Sequence, residues 1–385
     1  MRKSHVLLLY RELIPSVRLC GHSQLEYLAE QGKLEYLAEK VFSVSRDTLQ
    51  WADTVILGRL DNVYELALAQ HLKDAGKQLL YIIDDDLLNI PPACSSSLYY
   101  GQPEIRSCIR EMIALSDGLI SPSPLLAEKY IQPGQTYFQI EEPAIEPVSF
   151  SAHHSPPIRI GFAGSVDRTG DLQPILGTAL RRLREEYGDR LQFVFFGAIP
   201  DFAAELNAVS VPYRDSYLTY RQELNRQAWD IGLAPMPDTP FHACKHYNKF
   251  CEYAAAGIVG VFSDVPPYTR IAQRYTGSVL CDNTPESWYA QLKALIDDPQ
   301  KREALRAEAS RNANGPLCVA SVAEDFFRTA KETLLYQDQK GGYVASIGWI
   351  RLKGYFARFR NLWKKYGFGI FPAGIQKISK KLLNR

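Results

Sequence analysis

The sequence predicts an α/β protein of two similar units facing each other across a cleft, each a parallel sheet covered by helices. Three observations carry this. Apolar runs of strand length alternate with longer segments of helical periodicity from His5 to about Leu335. The alternation is interrupted once, at the polar stretch 149–157 with its prolines and histidines, which reads as a linker. The length of 385 residues suits two domains with separate cores.

In chain order, His5–Tyr10 is the first expected strand and Ser23–Gln31 the first expected helix. Thr54–Leu57 and Gln78–Ile83 are apolar strands, with helical periodicity over Val63–Ala75 between them and a stop at Gly76. Asp84, Asp85 and Asp86 close the second of these strands. Glu104–Leu115 reads as helix, Gly118–Ser121 and Thr136–Ile140 as strands. After the linker come strand Ile158–Phe162, helix Leu172–Tyr187, strand Leu191–Phe196, helix Tyr220–Ala228 and strand Ile231–Ala234. Helix Tyr247–Ala256 stops at Gly257 and leads into strand Ile258–Phe262. Ser287–Asp297, Gln300–Asn312 and Ala320–Leu335 are helical. These boundaries divide the chain into units 1–150 and 151–335. The hexapeptide LEYLAE at Leu25–Glu30 recurs at Leu34–Glu39, too short a period for a solenoid repeat.

Composition excludes several classes. With 46% apolar and 23% charged residues the chain is an ordinary globular one. Its seven cysteines are scattered without a C-x-x-C pair, which gives no zinc signal and fits a reducing, cytoplasmic setting. The apolar run Val6–Tyr10 is too short for a signal peptide, and no run of about 18 apolar residues offers a membrane span. The net charge of +1 hides an asymmetry. Residues 345–385 hold ten Lys/Arg and no Asp or Glu, so the first 344 carry a net of −9. The tail therefore points to an anionic partner.

Three stretches carry chemistry. Gly161–Ser165 (GFAGS) follows a strand and precedes a helix, a place where backbone amides approach a phosphate; a plain turn is the other reading. In Lys245–Asp264 (KHYNKFCEYAAAGIVGVFSD), Asn248, Lys249 and Glu252 fall within about one helical turn, with Lys249 and Glu252 on one face. A lysine at a helix start opposes the dipole, a cost that a bound diphosphate would offset. Glu252 offers a carboxylate to a diol. A simple surface Lys–Glu pair is the alternative. Asp84, Asp85 and Asp86 admit a turn or cap role, a role for Asp84 and Asp86 in acceptor binding or base chemistry, or a hard cation. Arg59 and His22 are candidate acceptor contacts.

Asn248-Lys249, Glu252-Tyr253, Ala255, Gly257 and Ser263-Asp264, with the upstream Asp230–Pro235, resemble the C-terminal domain of retaining GT-B glycosyltransferases, family four especially. DTVILGR at 53–59, LYIIDDDL at 80–87 and SDGLIS at 116–121 resemble the N-terminal domain. The resemblance implies two Rossmann-like domains, 1–150 for the acceptor and 151–335 for a nucleotide-diphosphate sugar donor, with no further cofactor, no metal and retained configuration. It implies that Glu252 holds the donor ribose, and that Lys249, Asn248 and the amides of Gly164 and Ser165 lie near the diphosphate. Lys249 would stabilise the leaving group. Arg168 stands in for the basic residues usual after the glycine turn. Cys244 occupies the place, eight residues before Glu252, where the family has a carboxylate. That departure keeps a non-catalytic glycan- or nucleotide-binding protein as the rival. A dinucleotide oxidoreductase is a weaker rival, since no G-x-G-x-x-G follows the first strand.

The tail, 341–385, completes the reading. On a helical wheel Leu352, Tyr355, Phe356, Phe359, Leu362, Trp363 and Tyr366 share one arc, and the basic residues fall outside it. Residues 351–366 are thus expected to lie on an anionic membrane surface, on its cytoplasmic face; a helix packing its aromatic face on the protein body is the alternative. Removing 342–385 is expected to leave the two-domain core intact. The acceptor is expected to be a glycan or a lipid-linked sugar in surface polysaccharide or glycoconjugate synthesis, and no nucleic acid is expected.

Overall fold

The computed structural model describes residues 4–145, 156–336, 342–350, 352 and 354–356. Of the expected linker, only Pro156 and Pro157 are among them. Two six-stranded sheets form, both parallel throughout. The first holds β1 (His5–Tyr10), β2 (Glu35–Lys40), β3 (Thr54–Gly58), β4 (Gln78–Ile82), β5 (Gly118–Ser121) and β6 (Thr136–Gln139), in the order β2-β1-β3-β4-β5-β6. The second holds β7 (Ile158–Gly164), β8 (Leu191–Gly197), β9 (Val209–Val211), β10 (Ile231–Ala234), β11 (Val259–Ser263) and β12 (Ser278–Cys281), in the order β12-β11-β10-β7-β8-β9. Strand order reverses between β1 and β3, and between β7 and β10. Open α/β sheets bind ligands off the carboxyl ends of their strands at such reversals. Gly164, at the end of β7, sits at one.

The central strands are apolar on both faces because helices cover both. In β1, Leu7 and Leu9 enter one core and Val6 and Leu8 the other, the period-two alternation of a strand. The Val63–Asp74 helix starts in a capping box, Asn62 accepting from the Glu65 amide and Glu65 reaching back to Asn62. In β7, Gly161 serves packing: a Cβ there would lie 2.1 Å from the Trp229 ring. Only the second half of the Gly161–Ser165 stretch faces the cleft.

Two placements differ from the expectation drawn from chain order. The Val319–Leu334 helix, counted with the second unit, packs on the first. Ala323, Phe326, Ala330 and Leu334 share a core with Val6, Leu8, Ile82 and the Ser23–Glu30 helix. The first sheet has one face that its own helices leave partly bare, and this amphipathic helix closes it. The start of the tail is also part of the first unit. Val344, Ala345 and Ile350 are buried in the core beneath β3 and β4. Residues 342–350 are therefore part of that core rather than a separable appendage. Most of the arc expected over 351–366, Phe359, Leu362, Trp363 and Tyr366 included, lies outside the described residues.

The LEYLAE repeat takes two conformations. Leu25–Glu30 lies in the Ser23–Glu30 helix, while the second copy supplies most of edge strand β2. In the helix Leu25 and Leu28 are both buried; in the second copy Leu34, just before the strand, is buried and Leu37, within it, is exposed.

Ending the chain at residue 341 should lower the melting temperature of the protein, because the sheet face loses Val344, Ala345 and Ile350. Ile350→Ala alone should cost about 2–5 kcal/mol, measured by denaturant or thermal unfolding; an unchanged melt would remove the segment from the core.

Candidate active site

A cavity of about 300 Å³ opens at the β7 end of the cleft. Gly164 and Ser165 form one wall, and Asn248, Lys249 and Glu252, from the Asn248–Ala255 helix, form another. Pro15, from the loop after β1, faces them from the first unit. Five of the residues expected around the donor thus meet in one place. Phe196, Tyr213, Arg214, Asp215, Tyr217 and Tyr220 complete the lining. None of these six stood out in the sequence, because they come from the end of β8 and the loop and helix after β9, where no spacing links them to the helix motif.

Within the wall, Glu252 is buried and Lys249 mostly so. The Lys249 ammonium donates to Glu252 Oε2 and, at 3.0 Å, to the Tyr220 hydroxyl. Tyr220 donates to the same carboxylate oxygen at 2.7 Å, and burial raises its pKa well above the usual phenol value. The i, i+3 pair read from the sequence is therefore not a solvated surface pair. Buried Arg221 donates to the Glu252 carbonyl at 2.8 Å and fixes the helix from behind.

The start of that helix is tied to the segment that leaves the first unit. The His246 Nδ1 lies 2.7 Å from Asn248 Oδ1, and the ring stands between Glu141 Oε2 at 3.5 Å and Glu142 Oε2 at 3.6 Å. Tyr247 donates to Glu141, and Arg274 meets it at 2.5 Å. Burial alone would raise the Glu141 pKa, but His246, Tyr247 and Arg274 outweigh it and hold it at about 2. Burial pushes Glu142 up to about 7 against the pull of His246, with Asp84 and Glu252 adding to the rise. The Cys20 thiol donates to Glu142 Oε1 at 3.2 Å, while Oε2 has no hydrogen bond. Burial would depress the His246 pKa, but the two carboxylates raise it instead.

The aspartate triplet divides among three partners. Asp84 pairs with Arg59 at 3.1 Å, and burial raises its pKa. Asp85, which the sequence reading left without a role of its own, crosses the cleft to Lys245 at 2.7 Å. Asp86 is buried within the first unit, taking Lys129 at 2.6 Å on one oxygen and Asn89 at 2.9 Å with Tyr130 on the other. Both of its oxygens are occupied by its own unit, so Asp86 braces the loop after β4 and is not presented to the cleft. Arg59 also donates to Ser16 at 3.0 Å and so holds the loop after β1. His22 sits against Tyr36 at 2.9 Å and is not in the cavity lining. Arg168 is not in the lining either: it is drawn to Asp171 at 2.7 Å and the Pro235 carbonyl at 2.6 Å. Cys244 is buried, its thiol donating to the Pro240 carbonyl at 3.3 Å, and burial raises its pKa.

With this geometry in place, the fold is identified as GT-B. An α-glucosyltransferase solved with UDP and a 13-mer DNA containing an HMU base is similar at TM-score 0.61 and 12% identity, over 86% of this chain and 99% of that one. HepE of Anabaena, solved with UDP and glucose, is similar at TM-score 0.54 and 14% identity, over 86% and 100%. A glycosyltransferase of Rickettsia africae is similar at TM-score 0.54 and 12% identity, over 87% and 99%. In sequence, the D-inositol 3-phosphate glycosyltransferase of Kineococcus radiotolerans is 50% identical over 40 residues, 10% of this chain and only 9% of that protein. No protein-family model matches the chain.

The buried Glu142 makes stability depend on pH with a definite sign. Its pKa is raised from the ordinary 4.5 to about 7. Below 4.5 both states hold the proton; as pH rises towards 7 the unfolded chain loses it first, so stability falls across that window. Glu142→Gln should therefore gain on wild type between pH 5 and pH 8, by roughly 2–4 °C or more in melting temperature. A constant offset across that range in differential scanning fluorimetry would contradict the assignment.

Proposed function

We propose that the protein transfers a sugar from a nucleoside-diphosphate donor to an acceptor held by the first unit. The observation that carries this is the meeting of the Gly164 and Ser165 backbone with Asn248, Lys249 and Glu252 in one cavity at the β7–β10 reversal. A helix N-terminus and two backbone amides suit a diphosphate, and the buried carboxylate suits a ribose diol. Uridine diphosphate is the nucleotide to test first, since HepE and the α-glucosyltransferase were both solved with UDP. In the transfer step the bond from the anomeric carbon to the diphosphate oxygen breaks as the acceptor hydroxyl oxygen bonds to that carbon, and the hydroxyl proton passes to the departing diphosphate. Negative charge collects on the departing diphosphate, where Lys249 and the helix N-terminus stabilise it.

Retention and metal independence follow the resemblance to family four. Metal independence is supported by the aspartates after β4, which are engaged by Arg59, Lys245 and Lys129. A glycan or lipid-linked acceptor remains the proposal. A DNA acceptor like that of the α-glucosyltransferase is disfavoured, because the first 344 residues are net −9 and duplex phosphates demand the opposite sign. The described cysteines are all free, which fits a reducing cytoplasm. One observation favours a second reading, a non-catalytic nucleotide or glycan binder: Cys244 is a buried thiol where the family has a carboxylate. Release of UDP from UDP-sugars in the presence of candidate acceptors separates the two.

Glu252→Gln should weaken UDP binding roughly tenfold to hundredfold, the value of a hydrogen bond to a charged group; calorimetry on folded protein showing equal affinity would take Glu252 out of the site. Lys249→Ala should lower turnover more than UDP affinity, because its charge acts most on the leaving group. Equal losses in both would make it a plain binding contact. EDTA should leave turnover intact, and loss reversed by Mn²⁺ or Mg²⁺ would overturn the metal-free reading.

A further inference from the structure

Residues 342–350 and Gly354 are fastened to the first unit along their inner side. Gln50 brackets them, its Nε2 donating to the Gly342 carbonyl at 3.1 Å and its Oε1 accepting from the Val344 amide at 3.0 Å. Arg46 donates to the Val344 carbonyl at 2.8 Å, and the Ala345 amide donates to His71 at 2.8 Å. In the helical residues that follow, Ile347 and Ile350 face inward, and Gly354 lies so close to Tyr64 that a Cβ would come within 2.9 Å of its ring. The outward side is as apolar as the inward one. Trp349, Leu352 and Phe356, at i, i+3 and i+7, form one stripe and are 52%, 43% and 66% exposed. Tyr355, 62% exposed, packs against Tyr64 in a tilted pair with ring centroids 4.8 Å apart, and Phe42, 44% exposed, borders Ile347 and Ile350. Single exposed apolar residues are ordinary; five in one patch of a charged surface are not.

We propose that this face of the first unit docks on an anionic lipid surface. The charge of the chain selects the partner. In sequence Arg351 and Lys353 fall between Trp349 and Phe356, and the stretch from 345 to 385 has ten Lys/Arg and no acidic residue. Trp, Leu and Phe beside Lys and Arg suit the boundary between headgroups and acyl chains, where the apolar side chains enter and the cations meet phosphate. No helix of the described residues is long and apolar enough to cross a membrane, so the contact is interfacial. Because the stripe is anchored on a folded unit, docking would fix the orientation of that unit to the bilayer, the arrangement a lipid-linked acceptor needs. The proposal stands apart from sugar transfer, since lipid binding is read without turnover.

The test is flotation of the full chain with phosphatidylcholine vesicles, with or without phosphatidylglycerol, at low and high salt. The expected result is co-flotation with the anionic vesicles, weakened but not abolished by salt. Trp349→Ser with Phe356→Ser should lower binding roughly tenfold or more without shifting the melt, both side chains being exposed. Arg351→Glu with Lys353→Glu, which leaves the apolar stripe whole, should abolish the preference for phosphatidylglycerol, and it decides the matter if the serine variant fails to fold. Absence of flotation, or flotation indifferent to both variants, overturns the proposal. So does a patch covered by a second copy, seen as concentration-dependent dimerisation that the serine variant abolishes, or by the chain's own residues 357–385, seen as a melt lowered by the serine variant with no lipid binding.

Discussion

The placement of the Asn248–Ala255 helix depends on two adjacent carboxylates at the crossing between the two units, Glu142 buried and Glu141 mostly so. Glu141 and Glu142 lie where the chain leaves the first sheet, and His246 and Tyr247 lie immediately before the helix that carries Asn248, Lys249 and Glu252. Two residues further on, the Ala144 amide donates to the Leu317 carbonyl at 2.8 Å, so the outgoing crossing is zipped to the returning one. At such burial two adjacent carboxylates do not both ionise cheaply. The structure resolves this unequally: Glu141 takes the cations and stays ionised, while Glu142 keeps a proton into the neutral range. The result is a stiff floor to the cleft. Its mouth is bridged separately, by Asp85 to Lys245 at 2.7 Å and by Ser95 to Asp167 at 2.9 Å.

That floor lets an unfavourable lysine persist. Lys249 stands in the first turn of its helix, against the positive end of the dipole. Without ligand, Glu252 and the Tyr220 hydroxyl balance it. On the proposed reading, a donor exchanges these partners: the diphosphate becomes the counter-ion of Lys249, and the ribose diol occupies the carboxylate. No charge is left bare in either state, which matters because an unpaired buried charge is costly. Arg221 and Tyr253, whose hydroxyl donates to the Leu233 carbonyl at 2.7 Å, hold the helix still while the exchange occurs.

Local pattern in the sequence was enough wherever burial was complete. Strands β1, β3, β4, β7, β8, β10 and β11 are continuous apolar runs because helices cover both faces. Strands β2, β9 and β12 were harder for physical reasons. Strand β2 is an edge strand made largely of the hexapeptide that is helical nine residues earlier, so pairing with β1 decides its conformation rather than propensity. Strand β9 is three residues long and largely exposed, and β12 is half-buried. The same distinction applies to the site. Asn248, Lys249 and Glu252 share one helix, so spacing alone places them together. Lys245 and Asp85 are 160 residues apart, and His246 and Glu141 are 105 apart; no local signal joins such pairs. Adjacency misled at Asp84–Asp86, where successive side chains leave a strand end in different directions and find three different cations.

Cys244 sets the chemical limit on the site. A carboxylate there would accept two hydrogen bonds from sugar hydroxyls and carry charge into the cleft. The thiol does neither: it is buried, its pKa is raised, and it donates to a carbonyl of its own short helix. Lys129 of the first unit lies against it, drawn to Asp86 at 2.6 Å. The carboxylate opposite that lysine has thus been supplied by the first unit rather than by the loop before the donor helix. On the proposed reading, stabilisation of the departing diphosphate falls on Lys249 and the helix start, and Arg214, in the lining of the same cavity, is the other cation placed to share it.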